Sequence, residues 1–546
     1  MTNEKACWRW HLLALVLYSA LAFGFVAQGA SPIHTLYGLG KDPFIFIWFF
    51  RWWPWALAHH ADPLFTTLIW QPAGLNLAWT TSVPFLALLG APLTLISGPV
   101  LAYNILSLAA LALAAWAAYF LCLYVSRVPF AALIGGYLFG FSSYQMAHAW
   151  VHLNLTFTAF IPGLLLLALL RLDGRIPRWQ ACAGGAFALA CQFAISAELC
   201  ATALLFGAAT WALAYWQFPA RRHSLGRLAG EGLLAGLAAI VLISPLLWGM
   251  FSRPRGIHLP AHWPLVYVTD PLNLILPTIG TGLGGSWAFP ITRHFSGMLD
   301  EQGAYLGLPL LFILWGYCRG HARFFGILLV GIILLSCGPQ LWLAGVSTHI
   351  PLPWALLRHL PFIGMALPAR FMLYASLAAA VVTSLWIAQA PPSQLRRRRL
   401  LIGLLACVFL LPTPHGGQPV PTSTFFAPGR VQAALGPHKR LLILPFGMTG
   451  PSSFWQQESR FSFAQTGGYL GFPPKAVQAD TPIMWFYFGL DHPGFTPDFI
   501  RFCQSTHTDF VVAGPGTSAH VMAQMQALDW RTQKIDDVTV FSVPAP

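Results

Sequence analysis

Apolar runs separated by short polar clusters fill the first three-quarters of the chain. Segments of spanning or near-spanning length lie at about 12–30, 100–124, 129–147, 153–170, 180–197, 199–217, 229–250, 304–318, 324–337, 371–388 and 400–412. The pattern predicts a polytopic α-helical membrane protein with about eleven transmembrane helices. The stretch Val83 to Ile96 stands apart. It has about 14 residues, is interrupted by Pro84 and Pro92, and is followed by Gly98-Pro99, so it reads as a re-entrant or interfacial helix. Beyond residue 412 the pattern changes again. A Pro- and Gly-rich linker leads into a more polar tail with strand-like runs at Arg440 to Leu444, Asp509 to Ala513 and Val538 to Val543, and a helical run at His520 to Leu528. This predicts a membrane domain over 1–412 and a small C-terminal α/β domain over 413–546.

Composition agrees with the pattern. The chain is 56% hydrophobic and only 9% charged, with a mean hydropathy of +0.62, against about one-quarter charged in soluble domains. The net charge of +13 follows from the bias of basic residues toward cytoplasmic loops, so nucleic acid is excluded as a partner. With Val83 to Ile96 not crossing, fifteen Lys and Arg residues fall in short inner loops. Seven fall in the longer outer loops: Lys41, Arg51, Arg253, Arg255, Arg293, Arg358 and Arg370. The N-terminus is therefore expected inside and the tail outside, with large outer loops at 31–99, 251–303 and 338–370. The run Leu12 to Ala30 reads as a retained signal anchor rather than a cleaved signal peptide. The nine cysteines show neither a disulfide framework nor a CxxC metal site.

The acids carry the candidate chemistry. Nine Asp and Glu residues occur before residue 413, and carboxylates near a bilayer are costly enough to invite a functional reading. Asp42 precedes an aromatic segment, Phe44 to Trp53, suited to a membrane interface. Asp300-Glu301 lies where the second large loop re-enters the membrane. His148 and His152, spaced i,i+4, would share one face of a helix, and Glu198 lies in an outer turn. Arg293, Arg358 and Arg370 are candidates for holding a phosphate. Plainer roles stand beside these: Asp42 and Asp300-Glu301 as helix caps, the histidines as a structural pair, Glu198 bonding within its own turn, and Arg370 as an interfacial anchor.

Several stretches together resemble the GT-C superfamily of integral-membrane glycosyltransferases, which includes protein O-mannosyltransferases, lipid A aminoarabinose transferases and oligosaccharyltransferases. They are Gly40-Lys41-Asp42-Pro43 with Trp48 and Trp52, Asp62-Pro63-Leu64-Phe65, Gln71 to Leu77, Gly98-Pro99 with Tyr103-Asn104, and Glu301 with Tyr305-Leu306-Gly307. The resemblance covers about residues 10–410 and is nearer to a group of bacterial members. It implies a polyprenyl-phosphate-linked sugar as donor, and a lipid, glycan or protein acceptor reached from the outer face of the bacterial inner membrane. It also implies inversion at the anomeric carbon. The implied base or metal-positioning group is the loop-one acid, Asp42. On the residues alone, Glu301, the second candidate catalytic acid, or Glu198 could replace it as the base, and His148, His152, Glu198, Arg293, Arg358 and Arg370 are substrate-binding candidates. A divalent cation, Mg or Mn, is left open, because several relatives carry two adjacent acids in loop one whereas Asp42 stands between Lys41 and Pro43. The WWDYG motif of oligosaccharyltransferases is absent, which argues against protein N-glycosylation. The alternatives are a transporter or flippase of lipid-linked saccharides, for which a clear internal repeat is missing, and an accessory protein whose tail binds glycans.

Overall fold

The computed structural model describes residues 2–544 apart from 259–261, 322, 358, 360–362 and 493–494. It is 61% helical and divides into two compact units: residues 1–31, 105–243 and 260–417, and residues 32–104, 244–259 and 418–546. Among the described residues, six helices are long and apolar enough to cross a membrane: Trp8–Val26, Pro99–Ser126, Leu153–Leu172, Ala197–Gln217, Pro219–Leu242 and Pro368–Ala388. Three shorter apolar helices, Pro129–Gly140, Leu308–Gly320 and Arg323–Ser336, accompany them.

In the first unit, the helix Met372–Ala388 is buried along nearly its whole length. Small residues let Pro129–Gly140 approach it closely. A Cβ on Gly135 would stand 2.4 Å from Ser384 Oγ, and that hydroxyl donates to the Ala131 carbonyl at 3.0 Å. Such small-residue contacts are how helices associate where no hydrophobic driving force exists between them. The run expected to cross at 129–147 is two helices, Pro129–Gly140 and Ser143–Ala149. The break is local chemistry: Ser142 caps the second helix, its Oγ accepting from the Gln145 N–H at 3.3 Å. The run expected at 229–250 also divides, into Arg222–Leu242 and Ser244–Phe251, next to Pro245, which has no N–H to continue the ladder.

The second unit contains the aromatic helix Asp42–Ala58, whose Trp48 and Trp52 are almost fully buried. Trp48, Trp52 and Trp55 stack in series, with ring centroids 5.0 and 5.4 Å apart. The segment Val83 to Ile96 forms two helices of six and seven residues, Pro84–Leu89 and Ala91–Ser97, neither long enough to cross a bilayer. A five-stranded sheet runs across Thr532–Ile535, Val538–Ser542, Phe510–Ala513, Arg440–Leu444 and Ala464–Gln465 in that order. Arg440–Leu444 pairs in parallel with both of its neighbours. The helix Ser452–Glu458 joins this region to the aromatic helix: Gln456 accepts from Trp48 Nε1 at 2.9 Å and donates to the Leu68 and Phe463 carbonyls at 2.6 and 3.1 Å.

Candidate active site

Each unit holds one cluster of candidate residues. In the first, six of the candidates come together. Glu301 closes a 3₁₀ turn, Leu299–Glu301, and is buried. Gly303 allows that turn to lie against the helix Ser143–Ala149, since a Cβ there would stand 2.6 Å from Tyr144 Cα. Asn273 pins the following backbone, its Oδ1 accepting from the Ala304 N–H at 3.0 Å. Arg370 then reaches Glu301 with two guanidinium nitrogens: Nε lies 3.0 and 3.1 Å from the two carboxylate oxygens and Nη2 lies 2.5 Å from Oε1. Its Nη1 donates to Glu198 Oε2, while Glu198 Oε1 accepts from the Leu367 N–H at 3.2 Å.

The chain of polar groups continues beyond Glu301. His148 Nε2 stands 3.8 Å from Glu301 Oε2, and His148 Nδ1 meets His152 Nδ1 at 3.3 Å. His152 Nδ1 lies 3.4 Å from Asp300 Oδ2. Burial pushes the His148 imidazole down to about 3, so it is neutral at physiological pH. Burial also acts to raise Glu301, but the Arg370 guanidinium, by its charge and its hydrogen bonds, overcomes it and holds the carboxyl below the usual range. Burial raises the Asp300 carboxyl, with His152 opposing. Tyr144 packs edge-on against His148 with centroids 4.4 Å apart, and its buried hydroxyl has no hydrogen-bond partner among the described residues.

Several plainer expectations are corrected here. The histidines do not share one continuous helix. His148 lies in Ser143–Ala149, whereas His152 is the N-cap residue of the short helix Leu153–Thr156, and a turn between the two brings the rings together. Glu198 bonds beyond its own turn, at the start of Ala197–Gln217. Asp300-Glu301 does not cap the next helix, which begins at Leu308. Arg370 is neutralised by two carboxylates rather than standing as an interfacial anchor. Arg293 is exposed at the end of the helix Gly285–Thr292, with its Nε 3.1 Å from His294 Nε2. Arg358 lies outside the described residues.

The second cluster surrounds Asp42, the first residue of the aromatic helix. Lys41 is the N-cap residue and no side chain caps this end, so Asp42 is not held there as a cap. Its Oδ1 instead accepts a hydrogen bond from the Tyr469 hydroxyl, 427 residues along the chain. Beside Tyr469, at 6.2 Å between centroids, stands Tyr487. Burial, followed by the charge of Asp42, raises the Tyr487 phenol, and burial lowers the Lys41 ammonium. The sequence pattern gave no signal for Tyr469.

No protein-family model matches the sequence, and no curated protein matches it. Solved structures do. Arabinofuranosyltransferase AftD from Mycobacteria superposes with a TM-score of 0.59 at 15% identity, over 98% of this chain and 40% of that one. The chain thus spans about two-fifths of AftD. An oligosaccharyltransferase from Archaeoglobus fulgidus gives a TM-score of 0.50 at 12% identity, over 92% of this chain and 69% of that one. ArnT from Cupriavidus metallidurans gives 0.49 at 13% identity, over 99% of both chains. The chain is a membrane protein with the fold of the GT-C glycosyltransferases.

Proposed function

We propose that this chain transfers a sugar from a polyprenyl-phosphate-linked donor to a lipid, glycan or protein acceptor, at the outer face of a bacterial inner membrane and with inversion at the anomeric carbon. The observation that carries this reading is Asp42, set at the start of a buried aromatic helix with a neutral phenol as its hydrogen-bond donor. A carboxylate so placed can accept a proton. Asp42 takes the acceptor hydroxyl's proton as that oxygen bonds to the anomeric carbon. The bond from that carbon to the phosphate oxygen breaks, and its electron pair leaves with the polyprenyl phosphate. Glu301 is less suited to be the base, because pairing with the Arg370 guanidinium lowers its basicity. In this reading the N-terminus is inside, the stretch after residue 412 is an outer domain, and about eleven segments cross the membrane.

A divalent cation fits the first cluster. Ligand atoms of His148, His152 and Glu301 lie within 4.8 Å of one another, and His148 is neutral as a metal ligand must be. Two imidazoles with one carboxylate suit Zn or Mn better than Mg, which prefers all-oxygen ligands. When bound, such an ion would supply positive charge against a phosphate. The same row of buried ionisable groups would also serve a proton-coupled transporter of lipid-linked saccharides, which is the second reading.

The deciding experiment reconstitutes the purified protein in liposomes with ¹⁴C-labelled undecaprenyl-phosphate-linked hexoses and pentoses and bacterial membrane extract as acceptor. Transfer of label into product supports the transferase. Movement of intact donor between leaflets with no product supports the transporter.

A further inference from the structure

The C-terminal stretch is bound into the surroundings of Asp42 by a specific set of contacts. Residues 465–471 run along loop-one residues 68–71: the Gln465 N–H donates to the Leu68 carbonyl at 2.8 Å, the Gln71 N–H to Gln465 at 2.9 Å, and the Trp70 N–H to Gly467 at 3.3 Å. Two glycines make the approach possible. A Cβ on Gly467 would stand 2.3 Å from Phe446 Cε2, and one on Gly468 would stand 2.6 Å from Ile69 Cδ1. Gly468 also has φ of +123°, a conformation that residues with a side chain avoid. The next residue is Tyr469, 8% exposed, with its hydroxyl on Asp42. Past it, the Tyr487 hydroxyl donates to the Gly471 carbonyl and holds the far end.

We infer that Tyr469 is a positioning residue for Asp42, so that the C-terminal stretch completes the reactive carboxylate's site rather than serving as a separate appendage. This rests on the reading of Asp42 as the base. The phenol fixes which way the carboxylate faces and, by donating to it, favours its charged form. Among the described residues, the titratable groups beside Asp42 include Tyr469, its hydrogen-bond donor, and Tyr487, whose phenol its charge raises, with Lys41 preceding it in the chain. Removing the hydroxyl therefore acts on the reaction step and on its acid limb. It does not act on donor affinity, which sets it apart from a loss of packing.

The experiment uses the full-length protein in liposomes with the ¹⁴C-labelled undecaprenyl-phosphate-linked sugars, following kcat and KM from pH 4 to 9. Tyr469→Phe should move the acid limb of kcat upward by about one pH unit, which below the limb is about a tenfold loss, with KM for donor within about twofold. Gly468→Ala, which displaces Tyr469 but keeps its hydroxyl, should lower kcat in the same way. Asp42→Asn is the reference. If it abolishes transfer while both other variants keep the wild-type limb and kcat, the role given to Tyr469 is overturned and that of Asp42 stands. If Asp42→Asn itself transfers normally, the reading of Asp42 fails, and the role of Tyr469 with it. A folded Tyr469→Phe protein that loses activity equally at every pH likewise overturns the inference, since a structural defect has no acid limb.

Discussion

Removing Arg370 should destabilise the first unit severely. Its guanidinium makes three contacts to Glu301 and one to Glu198, and the Glu301 side chain is only 4% exposed. In Arg370→Leu, Glu198 keeps the Leu367 N–H, but the contact left to Glu301 among the described residues is a neutral imidazole 3.8 Å away. Breaking a buried pair by removing one partner costs about 3–5 kcal/mol, and most of that cost falls on Glu301. The expected loss is on the order of 4 kcal/mol. Lysine should recover little, because a single ammonium cannot span two carboxylates as a planar fork does. The triple variant Glu198→Gln, Glu301→Gln, Arg370→Leu should regain much of the stability, since no buried charge is left alone. Thermal unfolding of the detergent-solubilised protein measures all three. If Arg370→Leu melts like the wild type and its defect is instead a raised KM for donor, Arg370 binds phosphate and the ion-pair argument is wrong.

Glu458 should make stability depend on pH. Burial, then Asp537, raises its carboxyl to about 7, and its Oε2 is buried without a hydrogen-bond partner among the described residues. A raised carboxyl contributes stability fully below its unfolded value, near 4.5, and loses it as pH rises through 7. Glu458→Gln should therefore stabilise the protein at pH 8, by on the order of 2 kcal/mol, and have little effect near pH 4.5; a gain of equal size at both would contradict this. For the metal cluster, one Zn or Mn ion should bind per chain, and His152→Ala should weaken binding at least about tenfold while Asp42→Asn leaves it unchanged; elemental analysis after dialysis decides. For orientation, alkaline phosphatase fused after Pro546 should be active in cells and inactive when fused after Arg222. The reverse pattern would invert the topology.

What the sequence disclosed followed from the range of the interactions involved. The runs at Arg440–Leu444, Phe510–Ala513 and Val538–Ser542 were readable as strands because β-branched and other apolar residues cluster locally between polar turns. The scarcity of acids pointed to Glu198 and Glu301, yet nothing local could show that Arg370 joins them from 172 and 69 residues away. His148 and His152 were legible as a pair through their spacing, but the helix break between them was not. Ser142 signals only the start of its own short helix. Tyr469 was hidden altogether. It follows a Gly-Gly pair that looks like an ordinary turn, and its partner is 427 residues distant.

The central claim is that Asp42 is the base of a glycosyl transfer. Asp42→Asn keeps the shape of the side chain and its place at the start of the aromatic helix, but removes the charge. In liposomes with the ¹⁴C-labelled undecaprenyl-phosphate-linked sugars, this variant should lose at least about a hundredfold in transfer rate, the low end for lost acid–base catalysis. Its yield in the membrane and its melting temperature should match the wild type. A transfer rate near that of the wild type, from a variant present at the same level, would contradict the account.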